Sequence, residues 1–185
     1  MTTQSNIQAI DPNITMQELL QAFPGAQRAL FRKYHIGGCS SCGFQPAETL
    51  AQVCERNERL PVTEVMDHIQ SSHEADLRMQ ISPGELDAQL KSEASVRLVD
   101  VRTREEFEAV HIEGSILLSQ ELMQEGLMKW DRAQPLVLID HLGTRSLDAA
   151  AYFAGHGFEN VKSLRGGIDA WSRDVDTGLP RYHLE

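Results

Sequence analysis

A stretch of apolar residues at 135–139, Pro-Leu-Val-Leu-Ile, is the feature that most constrains the fold of this chain. A strand that is apolar at every position has both faces buried, which is typical of parallel sheets covered by helices. The polar segment 140–146 follows it directly, and the helical pattern of 147–156 comes next. This region therefore predicts a buried strand, a short loop and a helix, as in an α/β domain.

The same alternation of strands and helices extends over residues 81–185. Ser82 and Glu85 have the spacing of a capping box and predict the start of a helix. Gly157 is a natural left-handed terminator for the helix that precedes it. Strands that alternate with helices predict a mostly parallel sheet flanked by helices. The predicted strands lie at 96–101, 136–139 and 161–164, with a short apolar segment at 115–118, and the predicted helices lie at 120–130, 146–156 and 168–172.

Residues 13–70 have a different pattern, with helical spacing throughout. Thr15 and Glu18 predict a capped first helix, and further helices are predicted at 26–34, at 46–57 and from residue 61 onwards. Four short helices make a small all-α domain. The remaining segments are expected to be a flexible N-terminus at 1–12 and a polar linker at 71–80, with the domain boundary near residue 78.

Charge and apolar content exclude several classes of protein. The formal net charge of −10 argues against binding to a nucleic-acid backbone, which needs a basic surface. No apolar run approaches the ~18–20 residues of a membrane span, and residues 1–12 lack the pattern of a secretory signal. Three cysteines are too few to staple a secreted domain. We therefore expect a cytoplasmic protein that binds neither membrane nor nucleic acid.

Motifs that follow one another along residues 80–182 resemble the rhodanese family. The loop at 140–146 is similar to the family's active-site pattern, Cys-x-x-Gly-x-Arg-Ser. Gly143, Arg145 and Ser146 match that pattern, but Asp140 stands at the position of the catalytic cysteine. The other matching segments are 98–102, 105–107, 111–115, 157–158, 160–161, 164–168, Trp171 and 175–182.

The resemblance implies a rhodanese-like fold and the activity of a thiosulfate or persulfide sulfurtransferase. In rhodaneses the loop points backbone N–H groups at one spot beside a helix N-terminus, which stabilises the thiolate and holds the persulfide. The six residues 140–145 give the loop length that the family associates with sulfur, whereas related phosphatases use a longer loop. Because a carboxylate cannot form a persulfide, we expect the rhodanese site to be inactive.

Asp140 has three interpretations. It is an internal plug that accepts the N–H groups of the loop and faces Arg145, a nucleophile or general base, or part of a cradle kept for binding without chemistry. His141 is expected on the surface of the loop. Asp100, Arg102 and Ser146 are expected to support the loop, whose degenerate site comprises Asp140, His141, Leu142, Gly143, Thr144 and Arg145.

Cys39 and Cys42 form a C-x-x-C pair within a Gly-rich turn, with Glu-Thr-Leu at 48–50 just after it. This region resembles a small helical domain of uncharacterised function, which occurs alone or fused to redox and iron–sulfur-related proteins. Two thiols at this spacing can exchange persulfide or disulfide, bind a soft metal, or only shape the turn. All three interpretations stay open on the residues alone.

A metal site at this pair would need further ligands, because one C-x-x-C supplies two. A zinc or iron–sulfur site would require Cys54, His35 or a second chain across a dimer. We expect Cys54 in the helical core and His35 at the end of a helix, so no metal ligand is assigned and no cofactor is expected.

The sequence thus predicts a sulfur-handling or thiol-redox accessory protein of the rhodanese superfamily. Cys39 and Cys42 are the candidate catalytic pair, and the degenerate rhodanese domain would dock a partner or bind an anion. The expected partner is a sulfur-donor or sulfur-acceptor protein, and the chain is compatible with oligomers. The alternatives are a non-catalytic protein-interaction or sensor module and a metal-binding C-x-x-C protein.

Overall fold

A computed structural model describes residues 10–37, 43–92 and 95–182, and it divides the chain into two compact units. The first unit comprises Met1–Leu77 and the second Arg78–Glu185. Among the described residues, no helix combines the length and the apolar character needed to cross a bilayer.

The first unit is helical, with helices α1 (Met16–Ala22), α2 (Ala26–Tyr34), α3 (Leu50–Arg56) and α4 (Val62–Arg78). Capping boxes fix the first turns of α1 and α3, in which Thr15 pairs with Glu18 and Thr49 pairs with Gln52. Their apolar faces meet in one core, with fully buried residues that include Met16, Leu19, Leu30, Leu50, Val53 and Val65.

Two boundaries in this unit differ from the sequence prediction. The third helix begins at Leu50 rather than at residue 46, because Thr49 is its N-cap. Residues 71–78, expected within a linker, continue α4, and β1 follows immediately. The sequence of α4 contains neither glycine nor proline, so nothing in the polar stretch ends the helix before Arg78.

The described part of the second unit forms a five-stranded parallel sheet in the order β1-β5-β4-β2-β3. Its strands are β1 (Gln80–Ile81), β2 (Arg97–Asp100), β3 (Ile116–Leu117), β4 (Leu136–Ile139) and β5 (Val161–Leu164). Its helices are α5 (Pro83–Lys91), α6 (Arg104–Ala109), α7 (Gln120–Lys129), α8 (Arg145–Gly155) and α9 (Gly167–Asp174). The predicted fold class, an α/β sheet flanked by helices and preceded by a helical region, is confirmed.

The central strand β4 packs against helices on both faces of the sheet. Val137 and Ile139 belong to a cluster with Ile168 and Trp171 of α9. Alternate side chains of a strand point to opposite faces, so Leu136 and Leu138 contribute instead to a second cluster, with Ala150 and Phe153 of α8. This two-sided burial explains why β4 is apolar at every position, and it places the loop after β4 at the edge of a rigid sheet.

Candidate functional site

The carboxyl ends of the parallel strands meet at one edge of the sheet, where α/β proteins commonly place their sites. Asp100 ends β2, Asp140 follows β4, and Gly166 follows β5. Since β4 lies between β2 and β5, the loop after β4 is flanked by both neighbouring strand ends. The residues singled out at 100–102 and 140–146 are therefore brought together by the topology of the sheet.

The carboxylate of Asp140 fills the centre of its own loop. Oδ1 accepts the N–H of Gly143 at 2.7 Å, while Oδ2 accepts those of Thr144 at 3.2 Å and Arg145 at 2.9 Å. Asp140 is only 2% exposed. The backbone donors that would otherwise surround an external anion are thus occupied by a side chain of the chain itself.

This carboxylate also caps helix α8. Thr144 is the N-cap residue by position, but its side chain makes no capping hydrogen bond. The N-terminal N–H groups of a helix and its dipole both favour a negative charge. Asp140 supplies that charge from four residues before the N-cap, which couples the loop after β4 to the first turn of α8.

Two buried serines form a hydrogen-bonded pair next to the Asp140 carboxylate. The hydroxyl of Ser146 donates to Asp140 Oδ1 at 2.6 Å and lies 2.8 Å from the hydroxyl of Ser163. Both serines are fully buried. Support from Ser146 was predicted from the sequence, but Ser163 was missed. It follows Lys162 in a strand that is half polar, so no local pattern singles it out.

Glycines let the loop after β4 lie against the turn after β5. Gly143 has a φ of +85°, and a Cβ at this position would lie 2.7 Å from the backbone N of Gly166. Gly167 has a φ of +59°, and a Cβ there would lie 2.4 Å from the carbonyl oxygens of Asp140 and His141. Only glycine combines these backbone angles with so close an approach, so the two turns fix each other's shape.

Arg145 does not face Asp140 with its side chain, contrary to the sequence prediction. Its backbone N–H binds the carboxylate, whereas its guanidinium lies 3.8 Å from Glu106 Oε2 and its side chain is 53% exposed. The three backbone N–H groups and the Ser146 hydroxyl already satisfy the carboxylate. The arginine side chain therefore remains at the surface beside the loop.

Asp100 and Arg102 form a fully buried ion pair next to this loop. Arg102 donates to both carboxylate oxygens of Asp100, with distances of 2.7 to 3.1 Å, and also to the carbonyl of Val110 at 2.7 Å. Burial lowers the pKa of Arg102, but its hydrogen bonds to Asp100 and Tyr182 outweigh that effect and raise it. Arg102 thus stays charged, and its hydrogen bonds order the segment after β2.

Glu106 and Tyr182 complete the network, and neither was predicted from the sequence as a site residue. The Tyr182 hydroxyl accepts from Arg102 Nη1 at 2.8 Å and donates to Glu106 Oε1 at 2.8 Å. Burial opposes ionisation of Glu106, but hydrogen bonds from Tyr182 and Thr103 outweigh it and hold the pKa of Glu106 below its ordinary value. Burial, reinforced by Glu106, raises the pKa of Tyr182, so the phenol remains a donor.

His141 is buried, although the sequence predicted it on the loop surface. It is 5% exposed because the ring of Tyr182 stacks on it at a centroid distance of 4.3 Å. Its Nε2 lies 3.0 Å from the Tyr182 carbonyl oxygen, whereas its Nδ1 is buried without a hydrogen-bond partner in the described structure. Leu142, the next residue, is 60% exposed and forms the accessible tip of the loop.

Cys39 and Cys42 fall outside the described residues, so their role stays a prediction. Cys54 is 2% exposed in the helical core, where burial raises the pKa of its thiol, and His35 is the C-cap of α2. The predicted positions of these two residues are confirmed. Within the described ranges, no group of three or more His, Cys, Asp or Glu side chains is arranged to hold a metal ion.

Replacing Asp140 by alanine is expected to destabilise the second unit by about 2–4 kcal/mol, because a helix cap is lost and buried N–H groups are left without acceptors. Urea unfolding followed by tryptophan fluorescence measures this, since Trp130 and Trp171 both belong to that unit. Added acetate or phosphate should restore part of the loss by filling the vacated loop.

The matched control for Asp140→Ala is Asp87→Ala, which removes a surface carboxylate that pairs with Lys91 on α5. This control should lower the free energy of unfolding by less than about 0.5 kcal/mol, as is usual when an ion pair on a helix surface is removed. Equal effects of the two substitutions would contradict the capping role of Asp140. If the added anions stabilised both variants to the same extent, they would not be binding specifically in the loop that Asp140→Ala vacates.

Comparison with known proteins places the second unit in a recognised group. The family model described as "Rhodanese-like domain" matches residues 82–174. A probable adenylyltransferase/sulfurtransferase MoeZ of Mycobacterium tuberculosis is 32% identical over 130 residues, which are 65% of this chain and 33% of that protein. This chain therefore aligns with only a third of that relative.

Shorter relatives match about half of this chain. A thiosulfate sulfurtransferase GlpE of Pseudomonas savastanoi is 38% identical over 84 residues, which are 45% of this chain and 79% of that protein. The crystal structure of a rhodanese-like domain protein from Staphylococcus aureus is 27% identical, with a TM-score of 0.46, and covers 56% of this chain and 98% of its own.

Proposed function

Since this chain belongs to the rhodanese-like family, we propose that it is a sulfur-handling or thiol-redox accessory protein whose chemistry resides on Cys39 and Cys42. Its rhodanese domain serves to dock a sulfur-donor or sulfur-acceptor protein. Two similar proteins carry the names of sulfurtransferases, which supports a role in sulfur transfer.

The observation that carries this proposal is the filled loop around Asp140. Rhodanese chemistry needs a thiolate at this position, because only a sulfur nucleophile can accept a sulfane sulfur and hold it as a persulfide. The Asp140 carboxylate instead accepts three backbone N–H groups and the Ser146 hydroxyl. Sulfur transfer in this protein therefore requires a thiol elsewhere in the chain.

Elimination among the cysteines leads to the C-x-x-C pair. The chain has three cysteines. Cys54 is a poor nucleophile, because it is buried in the helical core and burial raises its pKa. Cys39 and Cys42 remain, and their spacing suits an attacking thiol and a resolving thiol.

The proposed reaction uses the two thiols in sequence. One thiolate attacks the outer sulfur of a donor persulfide, takes that sulfur as its own persulfide and releases the donor thiolate. A protein acceptor then removes the outer sulfur. In the absence of an acceptor, the second thiolate attacks the inner sulfur, forms the Cys39–Cys42 disulfide and releases hydrosulfide.

Removing the pair is expected to abolish sulfur acceptance. Anaerobically purified full-length protein is treated with a small-molecule persulfide, and its intact mass is measured. The wild type should gain the mass of one sulfur atom or lose the two hydrogens of a disulfide, whereas Cys39→Ser/Cys42→Ser should change by neither. Cys54→Ala is the matched control and should behave as the wild type does.

Other outcomes of the same experiment would count against the proposal. An adduct of unchanged yield in Cys39→Ser/Cys42→Ser would place the reactive sulfur elsewhere. A zinc or iron content at a fixed ratio in native mass spectra, lost with the pair, would favour the metal-binding alternative across a dimer.

The second candidate function is a non-catalytic interaction or sensor module. The exposed Leu142 at the tip of a loop whose backbone donors are occupied favours this candidate, because such a surface can bind a partner without chemistry. It predicts unreactive Cys39 and Cys42 together with a protein partner that Leu142→Asp no longer binds.

A further inference from the structure

Residues 175–182, here called the strap, run from the end of α9 to the network beside the Asp140 loop. The strap begins with a turn, in which the N–H of Leu179 donates to the carbonyl of Asp176 at 3.1 Å. Val175, Leu179 and Tyr182 are partly buried against the cluster that contains Ile139. The strap therefore lies on the edge of the core rather than within it.

An ion pair fastens the strap to α9 just before its last described residue. Arg181 donates to both carboxylate oxygens of Asp169, at 2.8 and 3.0 Å. The backbone N–H of Asp169 in turn donates to the carbonyl of His141 at 3.2 Å. One α9 residue thus connects the strap with the loop.

Tyr182 contacts the surroundings of the loop through three different parts of the residue. Its carbonyl oxygen binds His141 Nε2, its ring stacks on the His141 ring with an interplanar angle of 8°, and its hydroxyl bridges Arg102 and Glu106. These contacts join the segment after β2, helix α6 and the loop after β4 through one residue.

The ring of His141 depends on Tyr182 for its position. Nδ1 is buried without a hydrogen-bond partner in the described structure, so the contact at Nε2 is the polar contact that holds the ring. When the strap moves away, the imidazole keeps neither this contact nor the stacking; truncation of the Tyr182 side chain alone removes the stacking. His141 directly follows Asp140 in the chain. When the His141 side chain becomes more mobile, the backbone that positions the Asp140 carboxylate therefore becomes more mobile as well.

We propose that the strap is a conformational latch on the Asp140 loop, and that Tyr182 is the positioning residue through which it acts. With the strap in place, His141 is covered and the N–H groups of 143–145 remain bound to Asp140. Displacement of the strap uncovers His141 and lets the loop open locally, since segments at the core edge open at lower free energy than the sheet. The latch is independent of any chemistry at Cys39 and Cys42.

Amide hydrogen exchange of the full chain tests the latch. In Tyr182→Ala, the amides of Gly143, Thr144 and Arg145 should exchange about tenfold faster than in the wild type, as expected from the loss of a ring stack and two hydrogen bonds. Amides of the central strands, such as those of Leu98 and Leu138, should exchange at the wild-type rate. Both variants keep the backbone carbonyl, but Tyr182→Phe also keeps the ring, so it should give a smaller increase.

Arg173→Ala is the matched control, because it removes an α9 arginine whose ion pair with Asp174 lies at the surface. It should leave exchange at 143–145 unchanged. Wild-type protection of the loop in Tyr182→Ala would overturn the proposal. Faster exchange by the same factor in loop and central strands would also overturn it, because it would show general destabilisation. If Tyr182→Ala does not fold, exchange in the loop and in the central strands is compared in Tyr182→Phe instead, and the same two outcomes would overturn the proposal.

Discussion

Replacing Asp140 by cysteine is expected to give the loop after β4 a thiosulfate:cyanide sulfurtransferase activity. The introduced thiolate would attack the sulfane sulfur of thiosulfate, release sulfite and carry the sulfur as a persulfide. Cyanide would then take the outer sulfur as thiocyanate and regenerate the thiolate. Formation of thiocyanate by the variant, and none by the wild type, is the expected result.

The geometry of the Asp140 loop explains this expectation. The N–H groups of Gly143, Thr144 and Arg145 already converge on one negative group at the start of α8. The outer sulfur of a cysteine persulfide is separated from the backbone by as many bonds as an aspartate carboxylate oxygen. It would therefore reach the region that the carboxylate oxygens now occupy, close to the same donors.

The pH dependence of alkylation gives an independent measurement on Asp140→Cys. A thiol at a helix N-terminus has a pKa below the ~8.5 of an ordinary cysteine. The rate of alkylation by iodoacetamide should therefore reach half its maximum at a pH below that value. Asp140→Ser is the matched control for the transfer assay, since it has a small polar side chain without sulfur, and it should stay inactive. An inactive cysteine variant with an ordinary midpoint would mean that the loop no longer supports sulfur chemistry.

Replacing Arg102 by methionine is expected to reduce the free energy of unfolding of the second unit by about 3–5 kcal/mol. Methionine keeps the volume of the side chain but leaves Asp100 as a buried charge without its partner. The carbonyl of Val110 and the hydroxyl of Tyr182 lose a donor as well. Urea unfolding monitored by tryptophan fluorescence measures the change.

Two further variants identify the cause of this loss. Arg173→Met removes an exposed arginine from α9 and should leave the unfolding curve unchanged. Asp100→Leu/Arg102→Met should recover part of the lost stability, because replacing both partners of a buried pair removes the uncompensated charge. A double variant as unstable as Arg102→Met would contradict this explanation and assign the loss to packing or to the remaining hydrogen bonds.

Most of the α/β architecture was predictable because its signals are local. The apolar residues of β4 and the capping box that begins α5 are short patterns with direct physical meaning. Residues 71–78, within the predicted polar linker, are helical because polar residues alone do not end a helix. Composition suggested a break, whereas the absence of glycine and proline lets α4 continue to Arg78.

The candidate site was predictable only where its contacts are close in sequence. Asp140 and its backbone donors lie within five residues of one another, so the loop pattern already suggested their association. His141 was misplaced on the surface because Tyr182, which covers it, lies 41 residues away. Glu106 and Arg102 meet the same tyrosine across 76 and 80 residues, and no local pattern indicates such pairs.

The carboxylate within the loop has a consequence for how the domain responds to its surroundings. A loop that binds an external anion becomes more stable as the concentration of that anion rises. A loop that surrounds a thiolate changes when peroxide oxidises the sulfur. Asp140 is covalently part of the chain and does not undergo thiol oxidation. The folded shape of this loop is therefore independent of sulfur supply and of oxidant concentration.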